Sequence, residues 1–148
     1  MNDIDGKIIG LLQEDARMTY ADIGTAVGLA ASSVHDRVRK LERGGVIRGY
    51  RADVDLSRAG LPITAFVSLS LRAASPPDVA RRVAEFSFVE SCYSVAGERS
   101  YVLLVRAPTT SALEDLLDGL RAKLEVVTSS TIVLSTPFEH RPVASPPP

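Results

Sequence analysis

Between positions 31 and 51 the chain carries Arg37, Arg39, Lys40, Arg43, Arg48 and Arg51 against only Asp36 and Glu42. Positions 1–30 run the other way, with Asp3, Asp5, Glu14, Asp15 and Asp22 against Lys7 and Arg17. The formal net charge of −1 therefore conceals a cationic block beside an acidic one. A concentrated block of this kind suits one specific anionic partner better than general attraction to polyanions. Guanidinium and ammonium groups can hold phosphates, and the hydroxyls of Ser32 and Ser33 with His35 and Asp36 can hydrogen-bond to base edges.

The residues that could support other chemistry are few. Cys92 is the only cysteine and sits in "FVESCYSV", which reads as a buried strand, where a free cysteine behaves as a small hydrophobe. One cysteine with His35 and His140 is too little for a structural zinc site, and a disulfide within the chain is impossible. There is no glycine-rich nucleotide loop and no serine–histidine–acid set. No catalytic residue, metal or cofactor is expected. With 45% apolar and 24% charged residues, no apolar run of membrane-spanning length and an acidic start "MNDID", the simplest reading is a cytoplasmic, bacterial-type globular protein.

The elements that must position the cationic block follow from periodicity. Ile4, Ile8, Leu11 and Leu12 predict a helix over 3–14, with Asp3 as its N-cap. Thr19 and Asp22 resemble a capping box opening a second helix over 20–27, and Gly28 suits a left-handed C-terminal position. A third helix over 31–43 ends at Gly44-Gly45, and Val46 to Asp53 reads as a short strand. On a helical wheel of about 100° per residue, Val38 and Leu41 fall within about 40° of Val34. Ser32, Asp36, Arg39, Lys40 and Arg43 take the opposite side, and Arg37 lies at the border.

By itself such a helix could be an ordinary solvated surface helix. Gly24, Gly28 and Val34 change that weighting, because they supply a close helix approach, a tight turn and a branched lock, as a helix-turn-helix requires. The third helix then enters the major groove with its N-terminal residues nearest the bases. Ser32, Ser33, His35 and Asp36 become base-edge candidates, and Arg37, Arg39, Lys40 and Arg43 phosphate contacts.

After the connection "VDLSRAG" the pattern changes. "ITAFVSLSLRA" predicts a strand, "PPDVARRVAEFS" a helix and "FVESCYSV" a strand. "SYVLLVRA" predicts a strand, "TTSALEDLLDGLRAKL" a helix with Leu113, Leu116, Leu117, Leu120 and Leu124 along one side, and "VVTSSTIVLS" a strand. Two β-α-β units, joined by the turn "AGERS", fold most naturally as a ferredoxin-like βαββαβ sheet with both helices on one face. The class is thus α+β. The expected divisions are 1–53 for a winged-type helix-turn-helix domain, 54–61 for a linker, 62–137 for the ferredoxin-like domain and 138–148 for a frayed proline-rich tail. "YVLLV", "TIVL" and Phe66 beside Val67 and Leu69 give the sheet apolar character on both sides. The open face therefore calls for a cover, which a second copy provides in a homodimer or the N-terminal domain provides within one chain.

The run "DIDGKIIGLLQEDARMTYADIGTAVGLAASSVHDRVRKLERGGVIRGYRADVD" resembles the N-terminal domain of the Lrp/AsnC, or feast/famine, transcriptional regulators. "RVRKLERGGVIRGY" is especially close to that family's recognition helix and following strand, and the second half resembles its effector-sensing domain. The resemblance implies a sequence-specific regulator of double-stranded DNA, tuned by a small effector such as an amino acid. It also implies dimerisation through the sheet and assembly of dimers to an octamer.

Effector contacts are implied at Gly97, Glu98, Arg99, Ser100 and Tyr101, with Ser129 and Thr131 able to donate hydroxyls from the last strand. Many members carry a Gly-Asp-Tyr-Asp-like acidic pair in that turn, whereas here Ser100 cannot supply the second carboxylate for an α-ammonium group. The third helix also departs from the family pattern, with Ala30 where a capping serine is usual. Two other functions share the outline: an architectural DNA-wrapping protein without effector, and an enzyme resembling the sirohaem decarboxylases. The latter uses histidines in the sensing-type domain, where neither His35 nor His140 is well placed.

Overall fold

In a computed structural model that describes residues 3–141, the chain divides into two compact units. One comprises the described residues up to Asp53 together with 138–141, and the other is Val54–Pro137. The outermost part of the predicted tail, 142–148, lies outside the described residues.

The first unit is three helices, α1 (Asp3–Glu14), α2 (Tyr20–Val27) and α3 (Ala31–Arg43). Ile8, Ile23, Val34 and Val38 are fully buried at its centre, and Ile4, Leu11, Leu12, Met18, Val27, Leu29 and Ile47 pack around them. The capping reading of Thr19 holds. Its hydroxyl accepts from the Asp22 amide at 3.2 Å and donates to the Asp22 carboxylate at 2.6 Å. Gly28 ends α2 at φ 72, ψ 37, the left-handed geometry that glycine enters without a Cβ penalty. Gly24 marks the close approach of α2 to the turn: a Cβ there would lie 2.5 Å from the Leu29 carbonyl oxygen.

Two expectations in this unit are corrected. Asp3 is not a cap; it lies within the first turn of α1 and pairs with Lys7 at 2.9 Å. Val46 to Asp53 is not a strand, because no strand of the same chain runs beside it among the described residues. Instead the amides of Val46 and Ile47 both donate to the Leu41 carbonyl, which turns the chain back along α3.

The second unit holds β1 (Ile63–Ser70), α4 (Val79–Val83), β2 (Val89–Ser94), β3 (Tyr101–Ala107), α5 (Thr110–Leu124) and β4 (Val127–Ile132). All strand pairs are antiparallel, in the order β2-β3-β1-β4. This is the predicted βαββαβ fold. Ala65, Val67 and Leu69 of β1 and Leu103, Val105 and Ala107 of β3 form one buried face with Val79, Val83, Leu113, Leu116, Leu120 and Leu124 of the helices. Leu117 is only partly buried at the rim. Burial alternates along both strands, and β3 reads as an unbroken apolar run only because Val102 and Leu104 on its other face are apolar too.

The α4 helix is much shorter than predicted. Beyond Val83 the amides of Glu85 and Phe86 bond back three residues, to Arg82 and Val83. That tightening swings Phe86 into the sheet's helix layer beside Gly119, where an added Cβ would sit 3.1 Å from its ring. Cys92 is also corrected: it lies on a strand but is exposed, because β2 is an edge strand that five-residue α4 does not cover. Partial desolvation pushes its thiol pKa up.

Candidate nucleic-acid interface and effector region

Helix α3 buries Val34, Val38 and Leu41 and exposes Ser32, Ser33, Asp36, Arg39, Lys40 and Arg43, so its two stripes lie as the wheel places them. It begins after Ala30 with no side-chain cap, and among the described residues neither Ser32 nor Ser33 has a hydrogen-bond partner for its hydroxyl. The guanidinium of Arg39 and the ammonium of Lys40 are likewise without a side-chain partner among the described residues. Arg43 folds back so that its Nε donates to the Arg39 carbonyl at 3.3 Å.

Two of the predicted contacts are held differently. Arg37, at the border of the wheel, donates through Nη1 to Asp5 Oδ1 of α1 at 2.8 Å, with side-chain exposures of 33% and 19% for the pair. The pair ties Arg37 to α1, unlike Arg39 and Lys40 farther along the exposed side. His35 is half-buried, its ring edge-on to Tyr20 of α2 at 5.5 Å between centroids, and its Nδ1 lies 3.4 Å from Asp36 Oδ1. That contact fixes the imidazole at the border of the exposed face.

Sequence reasoning missed Tyr20, Tyr50 and Asp5. Tyr50 donates its hydroxyl to Glu42 Oε1 at 3.0 Å, eight positions away across the Gly44-Gly45 turn. Partial burial first, then that hydrogen bond and the Glu42 charge, push its phenol up to about 12. Tyr20 and Tyr50 also line a shallow pocket of about 300 Å³ with Leu12, Ala16, Met18 and Thr19. No periodic signal links these residues, since each bridges two elements; only the tyrosines' polar tips on apolar bodies hinted at such a role.

In the second unit, Gly97, Glu98, Arg99 and Ser100 form the hairpin between β2 and β3. Ser100 donates its amide to the Leu69 carbonyl at 2.8 Å, and Arg99 Nη1 donates to Ser70 Oγ at 3.2 Å. Ser129 is opposite Ser68 and Thr131 opposite Phe66, which places both on the face that carries no helices. Tyr101 does not join them. It is opposite Leu69, on the helix-covered face, and packs against the core. Glu98 is exposed and has no partner among the described residues.

The helix-free face carries Phe66, Val102, Leu104 and Tyr93, with Phe66 45% and Tyr93 54% exposed. Near its rim Arg106 bridges Glu90 at 2.6 Å and Thr64 at 2.7 Å. Among the described residues no group of three or more histidine, cysteine or acidic side chains is placed to hold a metal ion. Nor is any helix long and apolar enough to cross a membrane.

Residues 1–42 match the AsnC-type helix-turn-helix domain, and residues 64–143 match the Lrp/AsnC ligand binding domain. The chain belongs to the Lrp/AsnC family. Like its relatives, this Lrp/AsnC protein is a helix-turn-helix transcriptional regulator that binds DNA. It is 44% identical over 142 residues to the HTH-type transcriptional regulator LrpA of Mycobacterium tuberculosis, covering 95% of each chain. It is 30% identical over 128 residues to LrpC of Bacillus subtilis, covering 86% of this chain and 89% of that one. A feast or famine regulatory protein from M. tuberculosis, solved in complex with L-methionine, has a TM-score of 0.93 at 42% identity over 97% of this chain and 99% of that one. Escherichia coli AsnC gives a TM-score of 0.88 at 26% identity, over 98% and 99%. These relatives are regulators, which leaves the sirohaem decarboxylase comparison without support.

Proposed function

We propose that residues 1–53 read an operator through α3, that 54–61 link them to the rest, and that 62–137 sense a small effector and dimerise. Ser32, Ser33, His35 and Asp36 read base edges, while Arg39, Lys40 and Arg43 hold phosphates. The observation that carries this reading is that Arg39 and Lys40 are exposed, with no side-chain partner among the described residues, on the side of α3 opposite the buried Val34–Val38–Leu41 stripe. Two such helices in a homodimer address half-sites about 34 Å, or a multiple of it, apart.

The dimer forms through the helix-free sheet face, whose Phe66, Tyr93, Val102 and Leu104 are an apolar patch of the kind that marks protein–protein contact. Dimers assemble further, to an octamer, in the cytoplasm. Effector contacts come from the hairpin residues Gly97, Glu98, Arg99 and Ser100 and from Ser129 and Thr131, with Tyr101 shaping the core beneath. An amino acid is the leading effector class, because the structurally similar regulator from M. tuberculosis holds L-methionine. The effector acts by favouring one assembly or domain arrangement over another, as differential affinity requires.

Salt-dependent DNA titration tests the interface. Arg39→Ala and Lys40→Ala each weaken binding to every sequence and lower the slope of log K against log salt by about 0.9. Slopes matching the parent's for both variants would remove the phosphate assignment. A thermal-shift screen against the amino acids tests the effector, since a ligand at a hundred times its Kd adds about 2.7 kcal/mol of apparent stability. No shift with any of them, together with long protected footprints on DNA, identifies an architectural wrapping protein instead.

A further inference from the structure

We infer that Tyr50 is a positioning residue for DNA binding: its phenol holds the Glu42 carboxylate and thereby keeps the Arg39 guanidinium free for phosphate. The inference rests on the phosphate role proposed above for Arg39. Glu42 follows Arg39 by three positions, the spacing at which side chains on a helix meet and acid–base pairs form. A Glu42 left to itself would therefore have Arg39 as its nearest cationic neighbour along α3. The structure shows no such pair. Glu42 Oε1 accepts the Tyr50 hydroxyl at 3.0 Å, and Arg39 has no side-chain partner among the described residues.

The competition favours the tyrosine. An exposed ion pair at helical spacing is weak, because water screens it and two long side chains must be ordered. A hydrogen bond to an ionised acceptor is stronger, and Tyr50 arrives largely pre-ordered. Its segment is anchored twice at its start, by the Val46 and Ile47 amides on the Leu41 carbonyl and by the Ile47 side chain against the core. The turn at Gly44-Gly45 thus brings position 50 beside position 42. Glu42 and Asp36 are the only acids on α3. Holding Glu42 to one flank removes an internal competitor for Arg39 and turns an anion away from the phosphates.

The test is a double-mutant cycle on the full-length protein, read by fluorescence anisotropy with a DNA duplex at several salt concentrations. Tyr50→Phe, which keeps the ring, weakens binding by about twofold or more as Glu42 is released to pair with Arg39. It also makes the salt slope shallower, by up to about 0.9. In a Glu42→Gln background the same change has no effect, because no carboxylate remains to capture Arg39. Parent-like affinity and slope for Tyr50→Phe overturn the inference, and so does a loss that persists in the Glu42→Gln background, which marks a purely structural tyrosine. Arg39→Ala separates the two levels. If it flattens the slope while Tyr50→Phe does not, only the Tyr50 role fails; if it leaves the slope unchanged, the phosphate role of Arg39 fails and the Tyr50 inference with it.

Discussion

Arg37 of α3 and Asp5 of α1, thirty-two positions apart in sequence, are joined by a 2.8 Å ion pair. The pair connects α3, the helix proposed to face DNA, to α1. Arg37→Ala is therefore expected to act on stability and to leave the electrostatics of DNA binding alone. Both partners are partly exposed, so solvent screening limits the loss to about 1 kcal/mol. Urea unfolding and the salt slope of DNA binding, measured on one variant, check this. A flattened slope with unchanged stability contradicts it.

Gly24→Ala is expected to destabilise the helix-turn-helix although alanine is the better helix former. The new methyl meets the Leu29 carbonyl oxygen at 2.5 Å, a backbone atom that no rotamer change can move aside. The same turn is held by the Leu29 amide on the Gly24 carbonyl at 2.9 Å. The clash costs about 1–3 kcal/mol, more than the 1 kcal/mol or so that helix propensity returns. A thermal midpoint equal to or above the parent's refutes the close approach.

The Cys92 thiol is exposed yet partly desolvated, which holds its pKa above that of an ordinary cysteine. Since the thiolate is the reactive form, alkylation at neutral pH is slower than in the urea-unfolded chain, and its rate rises through a higher pH. The sign for stability follows from the same shift. The folded chain holds the proton more tightly, so this contribution is complete below the unfolded thiol's pKa and is lost as pH rises through the folded one. Maleimide labelling across pH, folded against unfolded, gives both curves; coincident midpoints reject the shift.

Phe66→Asp places a carboxylate in the middle of the helix-free sheet face, opposite Leu104 and Thr131. A charge at a closed apolar interface is strongly unfavourable unless paired, so the variant is expected to sediment as a monomer at concentrations where the parent is larger. The helix side of β1 is untouched, and the circular dichroism should match. A variant that keeps the parent's sedimentation coefficient rules this face out as the contact.

Where one element's own residues determine its geometry, the sequence was legible. The Thr19–Asp22 cap, the Gly28 left-handed turn and the Val34–Val38–Leu41 stripe are local relationships, and each stands in the structure as periodicity and turn chemistry require. The leucine edge of α5 and the order of strands and helices were equally readable. Failures lay where a distant residue decides. Arg37 sits at the border of its wheel and could face either way; Asp5 settles it. The 46–53 stretch has strand-forming residues but no neighbouring strand among the described residues. Cys92 reads as buried because its flanks are apolar, whereas its place on an edge strand is a property of the whole sheet. Likewise Tyr101 and Ser129 both look like pocket residues in sequence, and only the register assigns them to opposite faces.

The two hydrophobic clusters have no member in common: Ile8, Ile23, Val34 and Val38 belong to one, and thirteen buried residues from Ala65 to Val126 to the other. Each cluster is thus built from its own unit's side chains among the described residues. Under the functions proposed above for α3 and the β2–β3 hairpin, operator choice and ligand choice would each be edited on its own cluster's surface. The freedom is unequal: a centre with only four fully buried aliphatics has little to lose, so substitutions in the first unit are best tolerated at its solvent-facing positions.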